Sequence, residues 1–250
     1  MISERAFSQA FHSFWKEVTP FLTPHYITLF NEAYREDLTD EDGEQMGELD
    51  IPEELDRADV AAELGFRLAK VAHQHRAPLN DNEWIRRLVP YATEEMRVSF
   101  SGHSGPRPPV DPTDAEVCEA LRLCSRYAAF YRMVDGAEIL FCPPLQGVGV
   151  LNSCEADISV GSMLVEVKTT TRRVSGRDLR QVLVYLALGS VQKTFKWSEF
   201  GIFNPRRAEF SRITIDVFIA QISGGKSARE VYAEILSFVE SSDLVLDQQF

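Results

Sequence analysis

No apolar run in this 250-residue chain approaches the roughly 18–20 residues needed to cross a bilayer. The first eighteen residues, MISERAFSQAFHSFWKEV, carry acids and no apolar signal core, so no secretion signal is expected. Cysteine is scarce. Cys118, Cys124, Cys142 and Cys154 are scattered without a CxxC pair, which argues for a reducing, cytoplasmic setting. Histidine is scarce too, and His73 and His75 stand two apart on a predicted helix, where they face apart and make a poor zinc pair. A Gly-rich phosphate loop and a nucleophile elbow are both missing, so neither a nucleotide cofactor nor Ser-His-Asp chemistry is expected.

Positive charge is also in short supply. The net charge is −12, whereas nucleic-acid binders are usually basic. The deficit is uneven. Residues 36–63 hold 13 acids against the single base Arg57, while residues 166–212 hold ten bases against four acids. A solvated acidic segment is the plain expectation for 36–63. A sharper one is that it covers a basic groove elsewhere in the chain, or docks a basic partner.

What is present is an apolar content of 44%, enough for a packed core. Amphipathic patterns predict helices over Ser3–Val18, Tyr26–Tyr34, Arg57–His75 and Asn82–Phe100. Residues 39–52 read as a loop, and SGHSGPRPPVDP (101–112) as a boundary. The chain thus divides into an acidic, helical N-terminal region (1–110) and a second region (113–250). The second region opens with a helix over Thr113–Met133, where Thr113 and Glu116 form a capping box. Asp135-Gly136 ends it, and Glu138–Cys142 reads as a strand.

The most telling stretch is CEADISVGSMLVEVK, from Cys154 to Lys168. Two short apolar runs flank Gly161-Ser162, the pattern of a hairpin with a two-residue turn. Val160 then pairs with Met163, Asp157 lies opposite Glu166, and Glu155 opposite Lys168. All four charged residues share one face. Opposed like charges destabilise a sheet, so two converging carboxylates with a lysine call for another reason. A hard divalent cation supplies one; a hairpin with a solvated acidic face is the alternative that this stretch alone leaves open. A helix over Arg177–Leu188 follows, with Gln181 and Tyr185 one turn apart on one face. Beyond it FGIFNPRRAEF reads as a strand with an Asn-Pro-Arg break, SRITIDVFIAQI as a further strand, and Ser227–Glu240 as a capped helix.

Asp157, then Glu166 and Lys168, then Gln181 and Tyr185, resemble the motifs of the PD-(D/E)XK nuclease superfamily, specifically its RecB-type branch with a QxxxY helix. The resemblance covers about residues 113–220. It implies an α/β fold with a restriction-endonuclease-like core: helix, three-stranded mixed sheet, helix and further strands, preceded by the helical N-terminal region. It implies Asp157, Glu166 and the Val167 carbonyl as ligands of Mg²⁺ (or Mn²⁺), with Glu119 of the opening helix as a further candidate. Lys168 would orient or deprotonate a water or stabilise phosphate charge, and Gln181 and Tyr185 would position the backbone of the nucleic acid. For Glu119 the alternative is a solvated helix acid, and for Tyr185 a core tyrosine. Some RecB-type nucleases carry a cysteine-ligated iron–sulfur cluster, and the cysteine spacing here supports none. Arg172, Arg173, Arg177, Arg180 and Arg206 are the candidate phosphate contacts, with plain solvated charge as the alternative.

The expected function is therefore metal-dependent hydrolysis of phosphodiester bonds, in DNA ahead of RNA, in a setting such as phage defence or DNA processing. The alternative is a catalytically silent nuclease-fold module that binds nucleic acid or scaffolds a complex. A protein partner subunit or a homo-oligomer is expected, and no membrane.

Overall fold

A computed structural model describes residues 1–101, 111–134, 137–192 and 194–241. The expected turn at Asp135-Gly136, most of the expected boundary at 101–112, and Lys193 of the basic tally lie outside these residues. The N-terminal part holds helices α1 (Glu4–Gln9), α2 (His12–Val18) and α3 (Pro24–Ala33), strand β1 (Arg35–Asp37), and helices α4 (Ala58–Gln74), α5 (Asn82–Arg86) and α6 (Val89–Ser101). Helix α7 (Asp114–Met133) and strands β2 (Ile139–Phe141), β3 (Pro144–Leu145), β4 (Cys154–Glu155), β5 (Ile158–Val160) and β6 (Met163–Val167) follow. The chain continues through α8 (Gly176–Val191), β7 (Glu199–Asn204), β8 (Glu209–Thr214), α9 (Ile215–Ser223) and α10 (Ala228–Glu240).

Local chemistry explains most of the boundaries. Thr113 and Glu116 cap α7 reciprocally, and Ser227 with Glu230 does the same for α10. The single helix expected over Ser3–Val18 is broken at Phe11, whose φ of 55° lies in the left-handed region. The break lets the Phe11 ring pack against Phe7 and Phe238, at centroid distances of 5.3 and 5.4 Å. The helix expected over Asn82–Phe100 splits before Val89. Pro90 has no N–H to continue the first helix but fits the first turn of a second. The strand expected over SRITIDVFIAQI ends at Thr214, and the remainder is α9. Ile215, Phe218, Ile219 and Ile222 are all buried, and their spacing is helical rather than alternating.

The sheet has six strands, not three, in the order β1-β8-β7-β6-β5-β2. Only the β6–β7 pair is parallel, with α8 as its crossover. The Asn-Pro-Arg break is the turn of a β7–β8 hairpin, and β1 extends the sheet beyond β8. Gly161 alone of the β5–β6 loop residues has a positive φ, as a type II′ turn requires at its first position.

Each face of the sheet carries its own core. Met163, Val165, Phe203 and Phe210 pack with α4, α6 and α7. Leu164, Phe200, Ile202 and Ile213 pack with α1, α2, α3, α8, α9 and α10. The described residues of the first 101 thus contribute to both layers and to the sheet itself, interleaved with those of 111–241. The acidic segment is docked as well. Glu36 pairs with Arg212 and Glu48 with Arg207, while the Leu49 N–H donates to the Arg206 carbonyl. Among the described residues no helix is long and apolar enough to cross a membrane.

Candidate active site

The pleat of β6 sends Met163 and Val165 to one core and Leu164 to the other, so Glu166 and Lys168 project toward α8. There Lys168 Nζ lies 2.5 Å from Glu166 Oε1 and donates to Gln181 Oε1 at 2.9 Å. Gln181 Nε2 donates to Tyr185 Oη at 2.9 Å. The hairpin register runs as expected through Val160–Met163 to Ile158–Val165, where the ladder ends. Asp157, the next residue, turns its carboxylate onto β6 and accepts from the Val167 N–H at 2.7 Å. The five residues of the sequence motif are thereby gathered between β5, β6 and α8.

Glu155 does not join them. Its strand leaves β6 and pairs with β3, so Glu155 stands opposite Pro144, exposed, rather than opposite Lys168. The cause is the bend at Asp157. The Asp157 carbonyl accepts from Cys142 N–H and the Ala156 N–H donates to the Pro143 carbonyl, which turns the chain away from β6.

Glu119 does not join them either. It is buried on α7, where its Oε1 sits 2.7 Å from Arg206 Nη1 and its Oε2 accepts from Arg122 at 2.9 Å. Arg206 is 1% exposed, reaches the carbonyls of Leu49 and Asp50, and cannot offer its charge to a phosphate on the surface. The pair ties the β7–β8 turn to α7 and to the acidic segment. Glu116 has the structural role expected of it and also holds Arg57 at 2.6 Å.

The other basic candidates divide. Arg172 makes a two-pronged contact to Asp178 at 2.5 and 2.9 Å. Arg180 is half-buried, its guanidinium 5.9 Å from the centre of the Trp15 ring, and burial first and Arg177 second depress its pKa. Arg173 and Arg177 are exposed and make no ion pair among the described residues.

The electrostatics of the centre are those of a crowded, nearly dry site. Burial first, then the Glu166 charge, pushes the Asp157 carboxyl well above the usual range, although Lys168 and the Val167 N–H oppose this. Burial disfavours the Lys168 ammonium, but Glu166, Asp157 and Asp178 outweigh it and raise its pKa, so it stays charged. The Tyr185 phenol is raised by burial and by the Glu166 and Asp157 charges, so it acts only as a neutral group. Glu166 is 2% exposed, and its Oε2 is buried without a hydrogen bond among the described residues. A buried carboxylate oxygen without a hydrogen bond is costly; Glu119 Oε1 is another, but it has the Arg206 guanidinium 2.7 Å away, whereas Glu166 meets Lys168 through its other oxygen.

Four neighbours are not marked by the motif. Asp178 is 2% exposed, accepts from Ser175 N–H at 2.9 Å, and stands 4.0 Å from Lys168. Its place three residues after a capping serine was a readable signal. Burial works against its charge, but Arg172 and Ser175 hold its pKa below the usual range. Glu4 Oε1 lies 3.4 Å from Tyr185 Oη, a contact across 181 residues that no local pattern encodes. Tyr127 of α7 is fully enclosed, its hydroxyl without a hydrogen bond among the described residues, and Glu63 of α4 lies within electrostatic reach of both Tyr127 and Asp157.

No family model, no curated protein and no solved structure matches this chain.

Proposed function

We propose that this protein is a metal-dependent phosphodiesterase acting on nucleic acid, DNA ahead of RNA, with a restriction-endonuclease-like core built around β5, β6 and α8. The observation that carries this reading is the gathering of Asp157, Glu166 and Lys168 under Gln181 and Tyr185, with Glu166 Oε2 buried and unsatisfied. A fold gains little from a buried Glu166 with the half-buried Asp157 beside it, because their repulsion adds to the cost of burial.

The donor set suits Mg²⁺ or Mn²⁺, which take oxygen ligands, commonly from one or two carboxylates plus water and phosphate. Asp157, Glu166 and the Val167 carbonyl would hold the ion. Among the described residues no cluster of three or more His, Cys, Asp or Glu side chains gathers as a metal site, so solvent and substrate would complete the coordination. When bound, such an ion polarises a phosphate and lowers the pKa of a water.

The chain's own residues supply the rest. Lys168, held as an ammonium between Glu166 and Gln181, donates hydrogen bonds to the attacking water or to the phosphate oxygen that gains charge as the P–O ester bond breaks. Its charge state favours this donor role over that of a base. Gln181 and Tyr185 fix its direction, and Arg173 and Arg177 offer exposed positive charge to phosphates beside the site.

The test is cleavage of plasmid, linear single- and double-stranded DNA, and RNA with Mg²⁺ or Mn²⁺, wild type against Glu166→Ala. Cleavage that needs metal and vanishes in the variant supports the reading. The reading fails if metal-dependent cleavage is absent, or if it survives the substitution.

A further inference from the structure

We propose that Glu4, from the first turn of α1, is a positioning residue of this site, acting through Tyr185 and Gln181 on Lys168. The inference rests on the proposed nuclease reading for its purpose, but its geometry stands alone. Glu4 Oε1 sits 3.4 Å from Tyr185 Oη and 3.5 Å from Gln181 Nε2. These are long contacts, so the carboxylate acts more through its charge than through a short bond.

The direction of the hydrogen bonds follows from counting donors. Tyr185 has one hydroxyl proton. Glu4 is an acceptor and draws that proton toward itself, leaving the Tyr185 oxygen to accept from Gln181 Nε2 at 2.9 Å. An amide has its nitrogen on one side and its oxygen on the other. With Nε2 committed to Tyr185, Oε1 faces Lys168 Nζ at 2.9 Å. The opposite orientation would set an amide N–H against the ammonium, lose the Lys168 bond, and need the Tyr185 proton to turn from Glu4 to the amide oxygen. Lys168 and Glu4 thus favour the same amide orientation from its two ends, Glu4 by keeping the Tyr185 proton away from Gln181, and Lys168 is held against Glu166 on one side and Gln181 on the other.

The setting strengthens the coupling. Tyr185 is 3% exposed and Gln181 5% exposed, so little water competes for either group. The Glu4 charge also contributes to the raised pKa of the Tyr185 phenol, after burial, Glu166 and Asp157, which fits a carboxylate near the hydroxyl. Helix α1 packs along α8, and Phe7, one turn after Glu4, is buried in the same core as Leu179 and Val182. That packing fixes the distance between Glu4 and the α8 face.

The experiment uses the full chain labelled with ¹⁵N-glutamine and free of metal, with the Gln181 side-chain amide assigned through Gln181→Glu. In Glu4→Gln the Gln181 amide signal is expected to shift and to exchange faster with solvent. Tyr185→Phe is expected to do the same, and the double variant to add little to either single change. With Mn²⁺, Glu4→Gln is expected to lower kcat about tenfold while KM and Mn²⁺ affinity stay within about twofold. Glu4→Asp keeps the charge and the acid of the first helical turn but withdraws the carboxylate by one methylene. It is expected to shift the Gln181 amide in the same direction but by less than Glu4→Gln, and serves if that variant folds poorly. An unmoved Gln181 amide in Glu4→Gln overturns the relay. An amide that moves while a cleaving protein keeps its wild-type kcat removes the positioning role and leaves the nuclease reading standing. If the wild type shows no metal-dependent cleavage yet the amide moves, the nuclease reading falls and the hydrogen-bond relay from Glu4 is supported.

Discussion

Two groups of buried charge flank this sheet, and they are finished differently. Toward α7, Glu119 and Arg206 are each 1% exposed and pair at 2.7 Å, Arg122 adds a second cation at Glu119 Oε2, and two backbone carbonyls receive Arg206, although Glu119 Oε1 and Arg206 Nη2 make no hydrogen bond among the described residues. Toward α8, Asp157 and Glu166 share the single cation Lys168, and one carboxyl is driven toward its protonated form. A buried acid met by two bases is an answer to a packing problem. Two acids short of positive charge are a site awaiting a cation. Burial alone did not separate Glu119 from Glu166, since both are almost fully enclosed. The sum of charge around each did.

The comparison is broken most strongly by removing Glu166. Glu166→Gln is expected to reduce metal-dependent cleavage by more than a thousandfold, about 4 kcal/mol of lost transition-state stabilisation. In metal-free buffer its thermal unfolding midpoint should equal or exceed that of the wild type, because a repulsive neighbour is gone. A sharp fall in the midpoint would place Glu166 among the structural acids. Glu119→Ala is the mirror experiment. It strands Arg206 without its acid, and loss of one partner of a buried pair costs about 3–5 kcal/mol. The midpoint should fall by roughly 10 °C. Replacing both Glu119 and Arg206 by methionine should recover much of that, which would fix the pair as structural.

The difference between the two groups was only half legible in the sequence. The register from Val160–Met163 to Ile158–Val165 followed from a Gly-Ser turn and alternating apolar residues, and it carried Glu166 and Lys168 to the α8 face. Gln181 and Tyr185 followed from helical spacing. Glu119 was misplaced because its partner, Arg206, comes from a hairpin turn 87 residues later, and no local pattern records that meeting. Arg206 itself looked like surface charge because it sits in an Asn-Pro-Arg-Arg turn. The two Asn204-anchored N–H bonds of that turn aim it inward instead. Glu155 was misplaced because the bend at Asp157 depends on a strand, β3, only two residues long. Glu4 was invisible for the same reason as Arg206, since its neighbours are near only in space.

A pH series sharpens the comparison further. The folded pKa of Asp157 is raised above its unfolded value near 4, so folded protein keeps a proton that unfolded chain has lost. The stability this contributes is complete below about pH 4 and is lost as pH rises through the folded pKa. Urea unfolding of metal-free protein should therefore show wild type losing stability with rising pH relative to Asp157→Asn, which keeps an acceptor for the Val167 N–H. Binding Mn²⁺ requires the carboxylate, so it should release about one proton in the wild type and fewer in Asp157→Asn. Calorimetry in buffers of different ionisation enthalpy reads that count. Equal proton release from both would show that Asp157 does not meet the ion.

The smallest effect separates the arginines that can reach a phosphate from those that cannot. Arg173 and Arg177 are exposed and without ion pairs among the described residues, whereas Arg206 is enclosed and Arg172 is held by Asp178. Arg173→Ala and Arg177→Ala should each change folding stability by no more than about 0.5 kcal/mol. Each should weaken binding to a DNA fragment evenly across sequences and reduce the slope of log affinity against log salt by about one. Arg206→Ala should leave that slope alone and lower the unfolding midpoint, since its charge is spent on Glu119. Arg172→Ala should act through Asp178, which would lose its strongest partner and lean on Lys168 4.0 Å away, so turnover should change more than the salt slope. A salt slope that falls equally for all four would mean that long-range charge, and not the contact geometry around β6 and α8, governs how nucleic acid meets this protein.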